Sequence, residues 1–248
     1  MPIFACDLHI HSTLSPCGSL EMSPRNIVIR AKAAGLDIIA ITDHNMAENC
    51  TYAARLGKDN GVLVLSGMEL QTSEELHLLA IFGDHEAAME LQEYVYSNLP
   101  SVPNNPDYFG DQVVVDEKDV IIRSEERLLL NSTALSINEA VLWIKERGGI
   151  VIPSHIDSSA FSIVSQLGYV PPGLPFDALE IEKMEKLETI RPFVMAKDTP
   201  LVTFSDAHYL KDIGRRRTLL EMERPSYEGV VEALGHLPTI RGGTPYPC

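Results

Sequence analysis

Histidines and acidic residues recur at or near the ends of apolar runs in this sequence, and these residue types bind metal ions. The runs lie in CDLHIHS, AITDHN, SGMEL, ELHLLAIF, VIPSH and TFSDAH. The residues concerned are His9, His11, His44, Glu69, His77, His155, Asp206 and His208. Neutral imidazole and carboxylate are suitable ligands for zinc, iron and manganese. Because so many polar groups facing one cavity would be costly without a cation, the set predicts a metal centre.

A barrel of strands and helices would bring these distant residues together. Strand-like runs at 3–8, 37–42, 62–70 and 76–83 alternate with helical patterns at 24–35, 46–58 and 86–97. Such alternation predicts parallel strands covered by helices. The carboxyl ends of the strands in a parallel barrel meet at one face, which carries the active site. His77 lies early in its run, which fits a strand that runs antiparallel or enters late.

The HxH pair gives the most local geometry. Asp7, His9 and His11 are two residues apart, so a regular strand would point all three to one face. The pair would present two imidazoles to one metal ion. Ligating histidines need an outer hydrogen-bond partner, and Asp7 and Asp43 are the candidates for that role. We interpret His85 and His236 as ordinary histidines outside the centre.

The alternation fails between about 98 and 135, which we interpret as an insertion in a single domain spanning 1–248. Its sequence is rich in Pro, Asn and Gly, and it contains a predicted β-hairpin around Asp116–Asp119. The insertion either covers a site or packs as a surface hairpin. Beyond it, Ser136 and Glu139 form a capping box that opens a helix. Strands are expected at 149–155, 178–181, 201–208 and 217–222, and helices at 158–167, 185–196 and 226–235.

Charge and composition limit the partners that we expect. The 248 residues contain 20 Lys and Arg against 35 Asp and Glu, a net charge of −15. Such a surface disfavours stable duplex nucleic acid and anionic membranes. The first residues have no targeting pattern, and the four cysteines form no CxxC pair. We therefore expect a cytoplasmic protein with reduced thiols that does not contact a membrane.

The order of the motifs resembles the PHP (polymerase and histidinol phosphatase) family over nearly the whole chain. The motifs are DLHIHSTLSPCG, GLDIIAITDHN, GMEL, HLLAIF, PSHID and SDAH. The resemblance implies an α/β fold, a distorted (β/α)7 barrel with the metal site at the C-terminal ends of its strands. It also implies two or three divalent transition-metal ions (Zn, Mn or Fe) and phosphoester hydrolysis.

The resemblance also assigns ligands residue by residue. The first metal would take His9, His11, Glu69 and Asp206, and the second would share Glu69 and add His77 and His155. The third would take His44 and His208. Its last ligand is His or Asp in many family members, and Cys17 stands at the matching position here. Cys17 is either a thiolate ligand or a simple loop residue.

The implied reaction is attack on phosphorus by a hydroxide that bridges two metals, with Glu69, Asp206 and His208 as the candidate catalytic residues. Arg215 and Arg217, in the run RRR, could clamp the substrate phosphate or could form a solvated basic loop. We expect the substrate to be a small phosphorylated metabolite or a nucleotide. The alternatives are a non-catalytic metal-binding regulatory module and a C–N bond hydrolase on a related barrel.

Overall fold

The computed structural model describes residues 1–240, so Cys248 lies outside the described residues. The strands are β1 (Ile3–Ile10), β2 (Ile38–His44), β3 (Leu63–Gln71), β4 (His77–Phe82), β5 (Val113–Val115), β6 (Ile121–Ser124), β7 (Ile150–Pro153), β8 (Leu179–Glu180), β9 (Leu201–Val202) and β10 (Thr218–Glu221). The helices are α1 (Pro24–Ala33), α2 (Cys50–Asn60), α3 (His85–Asn98), α4 (Pro106–Phe109), α5 (Ile137–Glu146), α6 (Ile163–Leu167), α7 (Leu187–Ile190) and α8 (Tyr227–Leu234).

Six strands form one sheet in the order β10-β1-β2-β3-β4-β7. The neighbours β1, β2 and β3 are parallel, but β4 runs antiparallel to both β3 and β7, and β10 runs antiparallel to β1. Of the two alternatives for the strand at His77, the antiparallel one is confirmed, whereas the antiparallel pairing of β10 departs from the parallel arrangement that the alternation predicts. The connection from β3 to β4 is a short turn, which suits a hairpin and is too short for a parallel crossover.

The sheet curls into a half-barrel, and a second small sheet extends it. The strands β8 and β9 pair in parallel, and the Ile156 N–H donates to the Glu180 carbonyl beside β7. On the other side, the His11 N–H donates to the Ala207 carbonyl at 3.0 Å. The fold is mixed α/β and TIM-like, and the count of seven β/α units is not confirmed.

Apolar side chains fill both faces of the central strands. One cluster contains Leu8, Ile38 and Leu65 on the concave side, and another contains Ile39 and Ile41 on the side that the helices cover. Strands buried on both faces read as continuous apolar runs, which explains why β2 and β3 are evident in the sequence.

Helix boundaries follow local capping chemistry. The Ser23 side chain accepts a hydrogen bond from the Asn26 N–H at the start of α1, and Ser136 and Glu139 form the predicted capping box of α5. The helix expected at 158–167 is reduced to α6, because Phe161 has a φ of +55° that no helix continues through.

Two other expected elements are wrong in extent. The segment expected to be a helix at 185–196 consists of α7 between two 3₁₀ turns, and Pro192 lacks the N–H that a regular helix would need there. The strand expected at 201–208 is reduced to β9. Past it, the Thr203 N–H bonds to the Thr218 side chain, and Asp206 takes a φ of +49°.

The segment between α3 and α5 contains the predicted hairpin, β5 and β6. Its turn is stabilised by Asp116, whose side chain accepts from the N–H groups of Lys118 and Val120. The hairpin packs onto the loop that follows β1, where the Val113 N–H donates to the Thr13 carbonyl. Leu14, Met46, Leu99, Val114 and Leu129 form a small apolar cluster there. The segment between α3 and α5 is therefore joined to the loop after β1 by a hydrogen bond and apolar packing.

Over residues 1–240, the structure has no helix with the length and apolar character needed to cross a bilayer.

Candidate metal centre

A bulge in β1 aims His9 and His11 at the concave side of the sheet. The pairing of β1 with β2 shifts register between Asp7 and Ile10. Leu8 therefore packs in the concave cluster while Ile10 packs in the helix-covered one. The regular alternation expected from Asp7 to His11 is wrong for this reason. The carboxylate of Asp7 accepts the N–H groups of Ser205 and Gly214.

The carboxylate of Glu69 lies at the middle of the cluster, at the end of β3. Its side chain is 1% exposed. Its oxygens lie 3.1–3.5 Å from ring nitrogens of five histidines: His9, His11, His44, His77 and His155. These histidines come from three strands and two loops, so the fold brings together residues more than 80 positions apart in sequence.

Asp206 and His208 complete the cluster from the segment after β9. Asp206 Oδ1 lies 3.4 Å from His9 Nε2 and 3.3 Å from His11 Nε2. The ring of His208 stacks on that of His11 with centroids 4.2 Å apart. Asp206 and His155 both have positive φ, +49° and +31°. Such strained backbone is concentrated at functional sites, where the surrounding structure maintains it.

Three groups of side chains have ligand atoms close enough to share one cation. They are His9, His11 and Asp206; His44, Glu69 and His77; and His11, His44 and His208. Every predicted ligand except His155 and Cys17 belongs to at least one of these groups. His155 still lies with Nε2 3.4 Å from Glu69 Oε1.

Cys17 is exposed, in the loop after β1. None of the close ligand groups found within residues 1–240 includes its sulfur. Desolvation of the Cys17 thiol and the negative charge of Glu69 raise the pKa of that thiol to about 12. The structure therefore places Cys17 outside the close ligand groups of the described residues.

Hydrogen bonds set the tautomers of three of these histidines. His9 Nδ1 lies 3.0 Å from Glu180 Oε2, His11 Nδ1 lies 2.9 Å from Ser15 Oγ, and His77 Nε2 lies 3.3 Å from Gln71 Oε1. Since each of these nitrogens donates, the other ring nitrogen presents a lone pair. Those lone pairs face one another and the carboxylates, with His9 Nε2 and His11 Nε2 only 3.2 Å apart.

The residues present fit a metal. Lone pairs that converge at such distances repel one another unless a cation lies between them. Glu69 Oε1, His44 Nδ1 and His77 Nδ1 are buried and have no hydrogen-bond partner among the described residues. Buried polar atoms are rarely left unpaired, and imidazole with carboxylate is a donor set for zinc, iron or manganese.

Electrostatics support the same conclusion. Burial lowers the pKa of His9, but the charges of Glu180, Glu69 and Asp206 outweigh it and raise that pKa well above its usual value. Burial raises the pKa of Glu69, but His77 and His9 hold it well below its usual range. Positive charge is therefore favoured at His9 beside an ionised Glu69, whereas burial lowers the pKa values of His11 and His44 and favours the neutral imidazoles that ligate metal ions.

Asp43 and Glu180 hold the ligands from outside. Asp43 accepts from the Ser15 hydroxyl, which in turn contacts His11, so Asp43 supports that histidine through one intermediate. Glu180 contacts His9 directly and also accepts the His155 N–H at 3.0 Å. Glu180 is not among the predicted site residues, although it stands second to last in the run ALEI, as Glu69 does in SGMEL.

The arginines that follow His208 donate to main-chain carbonyls. Arg215 Nε donates to the Ser205 carbonyl, and Arg217 donates to the carbonyls of Gly214 and Ala34. The Arg215 contact braces the segment that carries Asp206, whereas Arg217 joins its own loop to the end of α1. The histidine His85 bonds to Thr51 and Ser66 away from the cluster, and His236 is exposed.

The fold and the cluster define a class: a TIM-like α/β protein with a histidine–carboxylate centre suited to metal ions. The chain belongs to the PHP family, because the PHP domain model matches residues 7–142. The chain spans less than half the length of the curated relatives that it matches. An uncharacterised protein of Methanocaldococcus jannaschii is 40% identical over 77 residues, which cover 27% of this chain and 44% of that protein.

Two kinds of solved structure share the fold. Endonuclease Q from Pyrococcus furiosus has a TM-score of 0.67 at 18% identity, over 96% of this chain and 57% of that one. A candidate metal-dependent phosphoesterase from Bifidobacterium adolescentis has a TM-score of 0.63 at 17% identity, over 96% and 98% of the two chains. The chain therefore spans less than two thirds of endonuclease Q.

The expectation that excludes stable duplex nucleic acid is wrong as a general inference. A structure of endonuclease Q with a 27-mer duplex carrying an abasic lesion at the active site has this fold, with a TM-score of 0.68 over 96% of the present chain. Net charge is a sum over the whole surface. It does not give the local potential at a site, where bound cations add positive charge.

Proposed function

We propose that this protein is a metal-dependent phosphoesterase that hydrolyses a small phosphorylated metabolite or a nucleotide, using two or three Zn, Mn or Fe ions. The observation that carries the proposal is the buried Glu69 carboxylate, surrounded by the lone pairs of histidines that have their other ring nitrogen hydrogen-bonded.

Metal ions bound by these side chains would neutralise phosphate oxygens and activate a water molecule. The negative charge of Glu69 would lie among the histidine ligands and attract the cations. Glu180 and Ser15 would fix the orientation of His9 and His11 respectively. This leaves no need for a nucleophile from the protein.

The more exposed members of the cluster indicate where a substrate enters. The side chains of Asp206 and His208 are 30% and 24% exposed, whereas those of His9, His11 and Glu69 are buried. An incoming phosphate ester would therefore meet Asp206 and His208 first. His208, whose Nδ1 lies 3.1 Å from the Asp206 carbonyl and donates to it, would present Nε2 to a cation at that entrance.

The test is turnover of phosphomonoesters by metal-reconstituted wild-type protein and by Glu69→Gln. The substitution keeps the shape of the side chain and removes its charge. We expect wild type to release phosphate from at least one small ester, and the variant to lose roughly 100-fold or more in turnover. Turnover by Glu69→Gln equal to that of wild type at saturating metal would contradict the proposal.

A second candidate function is cleavage of nucleic acid, which is favoured by the likeness to endonuclease Q over 96% of this chain. Single-stranded and duplex oligonucleotides, assayed beside the phosphomonoesters, separate the two. Cleavage of oligonucleotides without turnover of small esters would favour a nuclease. Metal binding with no turnover of any phosphoester would leave a regulatory module or a hydrolase of C–N bonds.

A further inference from the structure

Phe161 forms an aromatic platform at the edge of the metal centre. Its ring stacks on that of His77 with centroids 5.0 Å apart and planes 6° apart. His77 is itself 3.1 Å from Glu69 Oε1, so one residue separates Phe161 from the middle of the cluster. The side chain of Phe161 is nevertheless 42% exposed. The stack on His77 covers one face of the ring, so the exposed surface lies on the other face and on the ring edge.

The backbone holds this phenylalanine in a conformation that its side chain disfavours. Its φ is +55°, and for a bulky residue such a value is an outlier that costs free energy unless its surroundings enforce it. Here the Phe161 carbonyl accepts the His77 N–H at 2.9 Å, which ties the platform to the strand that carries the ligand.

The loop that leads to Phe161 is fixed at several other points. The Ser158 N–H donates to the His155 carbonyl, and the Ser162 hydroxyl donates to the Ser158 carbonyl before capping α6. Asp157 accepts the N–H groups of Glu182 and Lys183. A loop bonded this way presents the open face of the ring at little further entropic cost when a ligand binds.

We propose that the open face of Phe161 is a binding subsite for the nucleobase of the substrate, so that the protein prefers nucleotides to sugar phosphates without a base. The inference rests on the proposed phosphoesterase function. Every nucleobase has a π face, so its stacking on an aromatic side chain depends little on which base is present. A nucleoside phosphate carries its base one sugar away from its phosphate, so a phosphate at the metal centre would leave the base at the rim.

The experiment compares adenosine 5′-monophosphate with ribose 5-phosphate on the metal-loaded full chain. The two esters share the sugar and the phosphate, and only the first has a base. In Phe161→Leu we expect KM for the nucleotide to rise roughly tenfold, the order of one lost base stack. We expect kcat for the nucleotide and both constants for ribose 5-phosphate to stay within about twofold.

Two further variants control the result. Phe161→Tyr keeps an aromatic face and should behave as wild type. Phe193→Leu makes the same change at a phenylalanine of similar exposure, 44%, outside the cluster, and should have no effect on either substrate. Thermal midpoints and metal content show that each variant is folded and loaded.

If Phe161 only shields His77 from water, Phe161→Leu will impair turnover of both substrates equally or lower the metal content. Either result overturns the inference.

If wild type hydrolyses neither ester, the proposed function fails on these substrates. Binding of the two esters, measured by calorimetry, then tests the subsite separately. Tighter binding of the nucleotide than of ribose 5-phosphate, lost in Phe161→Leu, would support the subsite. Equal binding of the two esters, or no change in the variant, would overturn it.

Discussion

At the scale of single residues, the centre depends on which ring nitrogen of each histidine is already occupied. Glu180, Ser15 and Gln71 each take a proton-bearing nitrogen, from His9, His11 and His77 respectively. The remaining nitrogens turn their lone pairs toward Glu69 and Asp206. Outer partners of this kind set the tautomer and the orientation of a metal ligand.

Glu180→Gln tests that role. The amide can still accept from His9 but no longer carries the charge that makes the imidazole a strong ligand. We expect metal affinity, or turnover at limiting metal, to fall roughly 10- to 100-fold. Metal titration followed by a rate measurement checks this, with Glu185→Gln on the exposed surface as the control. An unchanged metal affinity in Glu180→Gln would show that the contact with His9 is incidental.

Cys17→Ser tests whether the thiol is a ligand. Because Cys17 is exposed and its sulfur belongs to none of the close ligand groups in residues 1–240, we expect metal content and turnover to stay as in wild type. Elemental analysis and initial rates on the same preparation check this. Loss of one metal ion in Cys17→Ser, restored in Cys17→His, would instead make the thiol a ligand of the third ion.

At the scale of elements, a buried asparagine holds the hairpin of β5 and β6 against the loop after β1. Asn49 precedes α2, and its side chain donates to Ser12, Thr13 and Val113 and accepts the Val115 N–H. It therefore joins β5 of the hairpin to the loop after β1. Its side chain does not cap α2, so its bonds serve the tertiary contact.

Asn49→Ala should destabilise the protein by about 2 kcal/mol, because it leaves several buried polar groups without partners. Urea unfolding monitored by circular dichroism gives the free energy of unfolding. Asn60→Ala is the control, since Asn60 is exposed at the end of α2 with one bond to the Leu56 carbonyl. Equal stability of the two variants would mean that the insertion is not joined to the barrel through Asn49.

Some of these elements could be predicted from local sequence patterns and others could not. The doubly buried strands β2 and β3 and the capped helices α1 and α5 are marked by local patterns, and the structure has them nearly as expected. No local sequence pattern predicts the bulge in β1 or the positive φ of Phe161 and Asp206, because tertiary contacts impose these conformations. The ligand residues could be chosen by their position after apolar runs, whereas the supporting contact of Glu180 depends on a pairing 171 residues apart.

At the scale of the whole molecule, the net charge of −15 and the buried carboxylates favour the binding of cations. A metal that binds only the folded state adds to stability, by about 2.7 kcal/mol at a hundred times its dissociation constant. For a chain of this length we expect chelation to lower the thermal midpoint by roughly 5–10 °C. Differential scanning calorimetry with and without EDTA checks this, and readdition of metal should restore the midpoint.

The central claim is that residues from β1 to the segment after β9 form one multinuclear metal centre around Glu69. Elemental analysis of wild-type protein, reconstituted with Zn, Mn or Fe and freed of loosely bound ions, tests it most directly. We expect two or three metal ions per chain, with a clear loss in a variant that combines His9→Ala with His11→Ala. Less than one metal ion per chain after reconstitution, or no loss in that variant, would contradict a multinuclear centre around Glu69.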